Sequence, residues 1–244
     1  MDVDKSEIGE PEKLKSRLVV RGDLEDSSLM RCDSPTCSQT MISLVLTLAA
    51  CRNTKLWSGD ISAAFLQGSK LDRTLILSLP KDGVPVLKPN MYYIVSSTVY
   101  GTRDAPRGWW KNLDGALRKK GFHPVPFEPG AYTLLEEEGV LAGLVIAHVD
   151  DLLWSGGQLI EERMKEICDH YKFGKIECDS FCGRNIARDA DKIYVKCDNL
   201  IDRVRPIWLT HEQKRQGEQP VTEGTWAASQ HHRKSCLAIS CMPS

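Results

Sequence analysis

The stretch GLVIAHVDDLLWSG, residues 143–156, decides the fold of this chain, because it places two adjacent carboxylates inside its most apolar segment. A buried, unpaired carboxylate is costly, and two of them side by side also repel each other. Asp150 and Asp151 therefore either lie in solvent at a turn or face something positively charged. The apolar runs on both sides have the length and composition of strands, which predicts a hairpin with the acid pair at its connection.

Further helices and strands are predicted on both sides of this hairpin. Apolar residues recur at helical spacing, which predicts helices over residues 38–52, 105–120 and 158–171. The middle helix has the clearest limits, because Asp104 suits its N-cap, Pro106 its first turn and Gly121 the position after its end. Strands are predicted at residues 56–62, 75–80, 92–101, 131–135, 140–149, 181–186 and 192–197.

Composition and charge narrow the classes of function. The chain has 244 residues and a formal net charge of −1, so any affinity for nucleic acid has to come from a local patch. It contains no apolar run long enough for a bilayer, and its acidic start is no secretory signal. We therefore expect an intracellular protein, cytoplasmic or nuclear, with no membrane partner. The nine cysteines include no CxxC motif and are expected to be reduced thiols.

A third acid, Asp60, lies in an apolar setting similar to that of the pair, within the predicted strand LWSGDIS at residues 56–62. Three carboxylates that converge on one site repel each other, and they stay ionised only around bound cations. Their oxygens are the hard ligands that Mg²⁺ prefers, and two such ions about 4 Å apart can clamp the attacking and leaving oxygens of a phosphoryl displacement. The pattern is compatible with a metal site at Asp60, Asp150 and Asp151, although turn residues in solvent are the simpler alternative.

Basic residues cluster around the middle helix of a chain that has no net positive charge: Arg103, Arg107, Lys111, Arg118, Lys119 and Lys120. Nucleic-acid phosphates are one partner for such a cluster, with Arg103, Arg107 and Lys111 as the candidate contacts. A solvated helix face explains the same charges. The adjacent Trp109 and Trp110 are more often core residues than a platform for stacked bases.

Six motifs follow one another along the chain: KSRLVVRG (15–22), SPTCSQTMISLVLTLAA (34–50), DISAAFLQG (60–68), TVYGTRDAPRGWW (98–110), HVDD (148–151) and FCGRNI (181–186). Together they resemble the polymerase core of copia-type long-terminal-repeat retrotransposon reverse transcriptases. The resemblance extends from about residue 13 to about residue 197. It implies an α+β fold of the right-hand polymerase type, with a palm of mixed or antiparallel sheet backed by helices, partial fingers and a partial thumb.

The same resemblance implies a division of the chain and an activity. Residues 1–14 are expected to form a polar arm, residues 15–202 the fingers and palm with the start of a thumb, and residues 203–244 a divergent, disordered tail. The implied activity is RNA-directed DNA polymerisation. Deoxynucleoside triphosphates are added to a primer 3′ end on an RNA or DNA template, with two Mg²⁺ ions, or Mn²⁺, as cofactors.

Roles for single residues also follow from the resemblance. Asp60 and Asp150 are expected to bind the two ions, while Asp151 assists and shapes the hairpin. The expected contacts of the incoming nucleotide are Lys15, Arg17, Phe65 and Gly101. The expected contacts of the primer strand are His148, beside its end, and Gly183, in the FCGRNI hairpin.

Three positions depart from the family pattern. His148 stands where a tyrosine is expected, Asp104 where a glutamine is usual, and Cys182 where a leucine is usual. The N-terminal arm is short and no RNase H segment follows, as in a truncated copy. Three functions are therefore considered: an active polymerase domain, a degenerate remnant that retains at most nucleic-acid binding, and an unrelated two-metal nuclease.

Overall fold

The computed structural model describes residues 2–4, 13–15, 19–26, 28, 30–80, 83–84, 87–189, 192–197 and 201. Arg17 and the tail over 203–244, for which disorder is predicted, lie outside these described residues. Lys15 ends a short strand whose backbone alone is described.

Within the described ranges the helices are α1 (Gln39–Cys51), α2 (Ala105–Lys119) and α3 (Gln158–His170), and 3₁₀ turns lie at Gly22–Leu24 and Ala64–Gln67. The strands, in chain order, are β1 (Asp2–Asp4), β2 (Lys13–Lys15), β3 (Lys55–Ile61), β4 (Lys70–Ser78), β5 (Tyr92–Ser97), β6 (His123–Val125), β7 (Glu128–Leu135), β8 (Leu141–His148), β9 (Asp151–Gly156), β10 (Phe173–Glu177), β11 (Ser180–Phe181), β12 (Arg184–Asp189) and β13 (Lys192–Lys196).

Six of these strands form the central sheet, in the order β10-β3-β9-β8-β7-β6, and every pairing within it is antiparallel. The strands β7, β8 and β9 follow one another as hairpins, whereas β3 comes from much earlier in the chain and inserts beside β9. The predicted α+β class with an antiparallel sheet and few helices is therefore confirmed in this coarse form.

The central strands are buried on both faces, because helices lie on each side of the sheet. In β8, for example, Leu144 and Ile146 face one core, while Val145 and Ala147 face the other. This alternation follows from the two-residue period of a strand. It explains why residues 141–147 form an almost unbroken apolar run rather than an alternating one.

Helices α2 and α3 cover one face of the sheet. They contribute six large side chains that are at most 1 % exposed: Trp109, Leu113, Leu117, Ile160, Met164 and Ile167. A fully buried apolar side chain of this size contributes about 1.5–3 kcal/mol relative to an exposed one. This packing fixes both helices against the back of the hairpin that carries the acid pair.

Helix α1 and the small sheet β11-β12-β13 cover the opposite face. The helix begins as predicted, since the Ser38 hydroxyl accepts a hydrogen bond from the Met41 amide at 3.2 Å. Met41, Ile42, Val45 and Ala49 are its buried positions. None of the described helices is both long and apolar enough to cross a membrane.

Two predictions of local structure hold only in part. Residues 181–186 form the hairpin β11–β12 that the resemblance implies rather than one strand, and its turn residues Cys182 and Gly183 have φ angles of +50° and +72°. Asp104 is the N-cap residue of α2 without capping the helix, since its side chain makes no capping hydrogen bond. Its carboxylate instead pairs with Arg73 of β4, which provides a charged partner in place of two helix amides.

Candidate functional site

Two of the predicted acids lie next to each other on neighbouring strands. Asp60 of β3 and Asp151 of β9 are directly opposite each other in the antiparallel register. Both lie on the α1 face of the sheet, since the next residue along each strand, Ile61 or Leu152, is buried in the core on the opposite face. Residues opposite each other in an antiparallel pair have Cβ atoms about 4.5–5.5 Å apart. The fold therefore brings these two carboxylates together.

The third acid lies in the connection that precedes Asp151. Val149 and Asp150 form the two-residue turn between β8 and β9, and the Asp150 carbonyl accepts a hydrogen bond from the Ile61 amide at 2.9 Å. His148 ends β8 opposite Asp151, with an exposed side chain. One end of the sheet thus carries Asp60, Asp150, Asp151 and His148.

The β11–β12 hairpin closes over this end of the sheet. The backbone amide of Cys182 donates a hydrogen bond to Asp151 Oδ2 at 3.1 Å. Burial raises the pKa of the Cys182 thiol to about 12, and the nearby charge of Asp151 adds to that effect, so this thiol stays protonated at neutral pH. Gly183 is the next residue of the turn, and a Cβ placed there would have no atom within 4 Å.

The acids destabilise one another's charged forms. Burial raises the pKa of Asp60, and the negative charges of Asp150 and Asp151 raise it further. Burial also raises the pKa of Asp151, an effect that the Cys182 amide opposes and the charge of Asp150 reinforces. A divalent cation between these oxygens would remove the repulsion.

The donor set fits such a cation in its chemistry. Carboxylate oxygens are hard ligands, and Asp60 and Asp151 project from adjacent strands on the same face. Among the described residues, no three His, Cys, Asp or Glu side chains are grouped closely enough to hold a metal ion by themselves. The carboxylates are therefore neighbours that repel each other.

Two contacts at this site could not be predicted from local sequence. One is the Cys182 amide described above, which depends on how β11 folds back over the sheet. The other is the indole of Trp109, whose Nε1–H donates to the Val149 carbonyl at 2.7 Å. The sequence signal at Trp109 was only that of a core residue at helical spacing, and both contacts need the tertiary structure.

Phe65 and Gly101 lie in one region, since Phe65 packs on Tyr100, the residue before Gly101. Phe65, in the 3₁₀ turn after β3, is half-buried and packs edge-to-face on Tyr100, with ring centroids 5.4 Å apart. Gly101 has a φ of +90°, and a Cβ there would lie 2.1 Å from the Val20 carbonyl oxygen. The protein's own backbone therefore already requires glycine at this position.

The predicted arginine contacts are engaged within the protein. Arg103 donates from Nε to the Gly22 carbonyl at 2.7 Å. Arg107 pairs with Asp33 at 3.2 Å, and its guanidinium lies 4.2 Å from the ring centroid of Trp110. These contacts tie α2 to the segment that precedes α1.

The rest of the basic cluster divides into paired and exposed residues. Arg118 pairs with Asp114 at 2.8 Å, and Lys120 pairs with Glu166 of α3. Lys111 has an exposed side chain on α2, and so has Lys119. Two of the three arginines of this cluster, Arg107 and Arg118, are therefore paired with acids.

The chain is similar in sequence to known proteins. Residues 3–214 match the family described as reverse transcriptase (RNA-dependent DNA polymerase). The chain is 29 % identical over 150 residues to the retrovirus-related Pol polyprotein from transposon RE1 of Arabidopsis thaliana. The aligned region covers 61 % of this chain and 10 % of that protein. It is 24 % identical over 200 residues to the retrovirus-related Pol polyprotein from transposon TNT 1-94 of Nicotiana tabacum. This aligned region covers 79 % of this chain and 15 % of that protein.

A third relative is the Pol polyprotein from transposon RE2 of Arabidopsis thaliana, 29 % identical over 154 residues, which covers 62 % of this chain and 10 % of that protein. The chain thus matches only a small part of these polyproteins. No solved structure gives a significant match. The family match spans most of the chain, including Asp60, Asp150 and Asp151, and on this basis the chain belongs to the reverse transcriptase (RNA-dependent DNA polymerase) family.

Proposed function

We propose that this chain is an RNA-directed DNA polymerase domain of a copia-type retrotransposon. In this proposal it transfers nucleotides from deoxynucleoside triphosphates to the 3′ hydroxyl of a primer on an RNA or DNA template. The observation that carries it is the register of β3 and β9, which puts Asp60 opposite Asp151 at the tip of the β8–β9 hairpin. Family membership supplies the reaction class.

The six-stranded sheet with α2 and α3 is the palm in this proposal, and residues 15–202 are the fingers and palm with the start of a thumb. Asp60 and Asp150 would hold two Mg²⁺ or Mn²⁺ ions, which lower the pKa of the primer hydroxyl and neutralise triphosphate charge. Asp151 accepts the Cys182 amide hydrogen bond, so it orients the β11–β12 hairpin as well as adding charge.

The remaining site residues are assigned by the resemblance to the family. His148, exposed beside Asp151, would contact the primer end, and Gly183 would allow the primer backbone to approach the β11–β12 turn. Phe65 and Gly101 would line the site of the incoming nucleotide, together with Lys15 and Arg17. Arg103, Arg107 and Lys111 would contact template or primer phosphates, with Lys111 the most accessible.

Primer extension with the full chain, on poly(rA) primed with oligo(dT) and with Mg²⁺ and dTTP, tests the proposal. We expect extension by the unchanged protein and a loss of roughly a thousandfold in Asp60→Asn and Asp150→Asn, because a catalytic metal supplies several kcal/mol of transition-state stabilisation. Asp169→Asn is the matched control, since Asp169 is exposed on α3, across the sheet from Asp60.

Fluorescence anisotropy of the labelled primer–template is measured in parallel. Binding without extension by the unchanged protein would identify an inactive remnant and overturn the proposal. Cleavage of the nucleic acid without synthesis would instead assign the acids to a nuclease. Extension that survives Asp60→Asn would show that these carboxylates are not the catalytic groups.

A further inference from the structure

The turn that carries Asp150 has a strained backbone. Val149 has a φ of +62°, in the left-handed region that β-branched residues rarely adopt. Such a conformation persists only where the surrounding structure holds it in place. The neighbours of Val149 should therefore include a group that fixes this turn.

Trp109 of α2 is that group. Its side chain is 1 % exposed, and its indole Nε1–H donates to the Val149 carbonyl oxygen at 2.7 Å. The Val149 carbonyl belongs to the hairpin connection rather than to a ladder of paired strands. The side chain of Val149 packs against the same core in which Trp109 is buried, so the turn is held by both a hydrogen bond and apolar contact.

The indole itself has little freedom to move. Its ring contacts Tyr171 edge-to-face, with centroids 5.3 Å apart and planes at 73°. The Tyr171 hydroxyl in turn donates to the backbone carbonyl of Asn112 at 3.3 Å. Helix α2 and the residue that follows α3 thus hold the donor in place.

We propose that Trp109 is a positioning residue for the carboxylate site, acting through the Val149 carbonyl. It holds Val149 in the left-handed conformation, and this sets the course of the backbone through Asp150, whose carbonyl meets the Ile61 amide at 2.9 Å. The inference rests on the proposed function only in taking this cluster as the cation site. Trp109 reaches the site from the other face of the sheet through Val149, so its effect has to pass through the turn.

Trp109→Phe removes the N–H donor and keeps an aromatic ring in the core. Trp110→Phe is the matched control, because the Trp110 indole makes a bond of the same kind to the Pro129 carbonyl, at 2.8 Å, away from the hairpin. Mn²⁺ binding to the full chain is measured by electron paramagnetic resonance without nucleic acid. Primer extension gives kcat and the KM for dTTP.

We expect Trp109→Phe to weaken Mn²⁺ binding by about tenfold and to lower kcat by a similar factor with little change in KM, since it leaves a buried carbonyl unpaired at the turn. Trp110→Phe should leave all three values within about twofold of the unchanged protein. Equal losses in both variants would overturn the proposal, because they would indicate general damage to α2.

Val149→Gly provides the second test. Glycine adopts a positive φ without strain, so the turn no longer needs the indole to hold it. In the Val149→Gly background, Trp109→Phe should therefore cost at most about twofold in Mn²⁺ affinity. The same tenfold loss in both backgrounds would overturn the positioning role.

The metal-binding measurement also separates this inference from the proposed function. A chain that binds Mn²⁺ but does not extend primers would refute polymerisation, and the two variants would still decide the role of Trp109. A chain that binds no Mn²⁺ at all would refute the positioning of a cation site by Trp109.

Discussion

Asp60 and Asp151 face each other across β3 and β9, two strands from distant parts of the chain that pair only when the sheet is complete. The site therefore forms only when the chain folds, and the repulsion between its carboxylates destabilises the folded state. Native proteins commonly store strain and unfavourable charge at functional sites. This relationship has consequences for stability that can be measured without any substrate.

Asp60→Asn should stabilise the protein when divalent cations are removed. The substitution takes one negative charge out of the cluster, and the gain should stay below about 1 kcal/mol because Asp60 is exposed and solvent screens its repulsion. Thermal unfolding in EDTA should show a midpoint up to about 2–4 °C above that of the unchanged protein. With millimolar Mg²⁺ the unchanged protein should have the higher midpoint, since only its complete set of carboxylates gains a bound cation. A midpoint in EDTA that falls below that of the unchanged protein would contradict this.

The difference in stability between Asp60→Asn and the unchanged protein in EDTA should depend on pH with a defined sign. Burial and neighbouring charge raise the pKa of Asp60 and of Asp151 above the usual 3.8, so the folded state takes up protons more readily than the unfolded state. Their repulsion is thus fully present above the raised pKa values and disappears as pH falls toward 3.8. The advantage of Asp60→Asn in EDTA should shrink over that interval, as followed by urea unfolding at a series of pH values. An advantage that grows on acidification would be inconsistent with the raised pKa values.

His148→Tyr should improve the use of the primer. His148 is exposed beside Asp151, and a phenol ring offers a larger surface for a terminal base than an imidazole. Stacking of one base on an aromatic side chain is worth about 1–3 kcal/mol, so a fewfold lower KM for primer–template is expected. His123→Tyr is the control, because His123 is exposed on β6 at the far edge of the sheet. Equal effects of the two substitutions would show that His148 does not contact the primer.

Local patterns along the chain predict much of this fold. The three helices and the β7–β8–β9 hairpins follow from apolar spacing, and the turn at Asp150 follows from two acids between apolar runs. Which strand lies beside β9 does not follow from such patterns, because pairing is a long-range choice. The convergence of Asp60 with Asp151 is implied only by the resemblance to the family.

The predictions that hold only in part have the same physical origin. Asp104 has the right residue type and position for an N-cap, but Arg73 of β4 offers it a stronger partner than two helix amides. Cys182 has no preference for a positive φ, so only Gly183 indicated the turn inside residues 181–186. Of the two arginines of α2, Arg118 is exposed and pairs with Asp114, whereas Arg107 is only 14 % exposed and pairs with Asp33.

Arg73→Met should destabilise the fold much more than loss of an exposed pair does. Arg73 lies between Asp104 and Glu25, with all three side chains at most 24 % exposed. Burial alone would raise the pKa of Asp104, but hydrogen bonds from Arg73 outweigh it and lower the pKa. Removing the guanidinium leaves two largely buried carboxylates unpaired, at a cost of about 2 kcal/mol in urea unfolding.

Arg21→Met is the control for Arg73→Met. Arg21 bonds Asp23 at 2.7 Å, but these side chains are 73 % and 56 % exposed. Its loss should leave the midpoint of urea unfolding almost unchanged, with an unchanged dependence on urea concentration. Equal costs for the two arginines would show that the Glu25–Arg73–Asp104 group contributes no more than a surface pair.

Gly101→Ala should destabilise the protein even without nucleotide or primer. Gly101 has a φ of +90°, and an added Cβ would lie 2.1 Å from the Val20 carbonyl oxygen, which is far too close for any contact. The change therefore combines a left-handed backbone penalty of about 1 kcal/mol with a forced shift of the Val19–Val20 backbone. Gly139→Ala, at a φ of +76° with no atom within 4 Å of the added Cβ, should show the first cost alone. Urea unfolding of both variants measures the difference, and equal losses would mean that the contact with Val20 does not constrain this position.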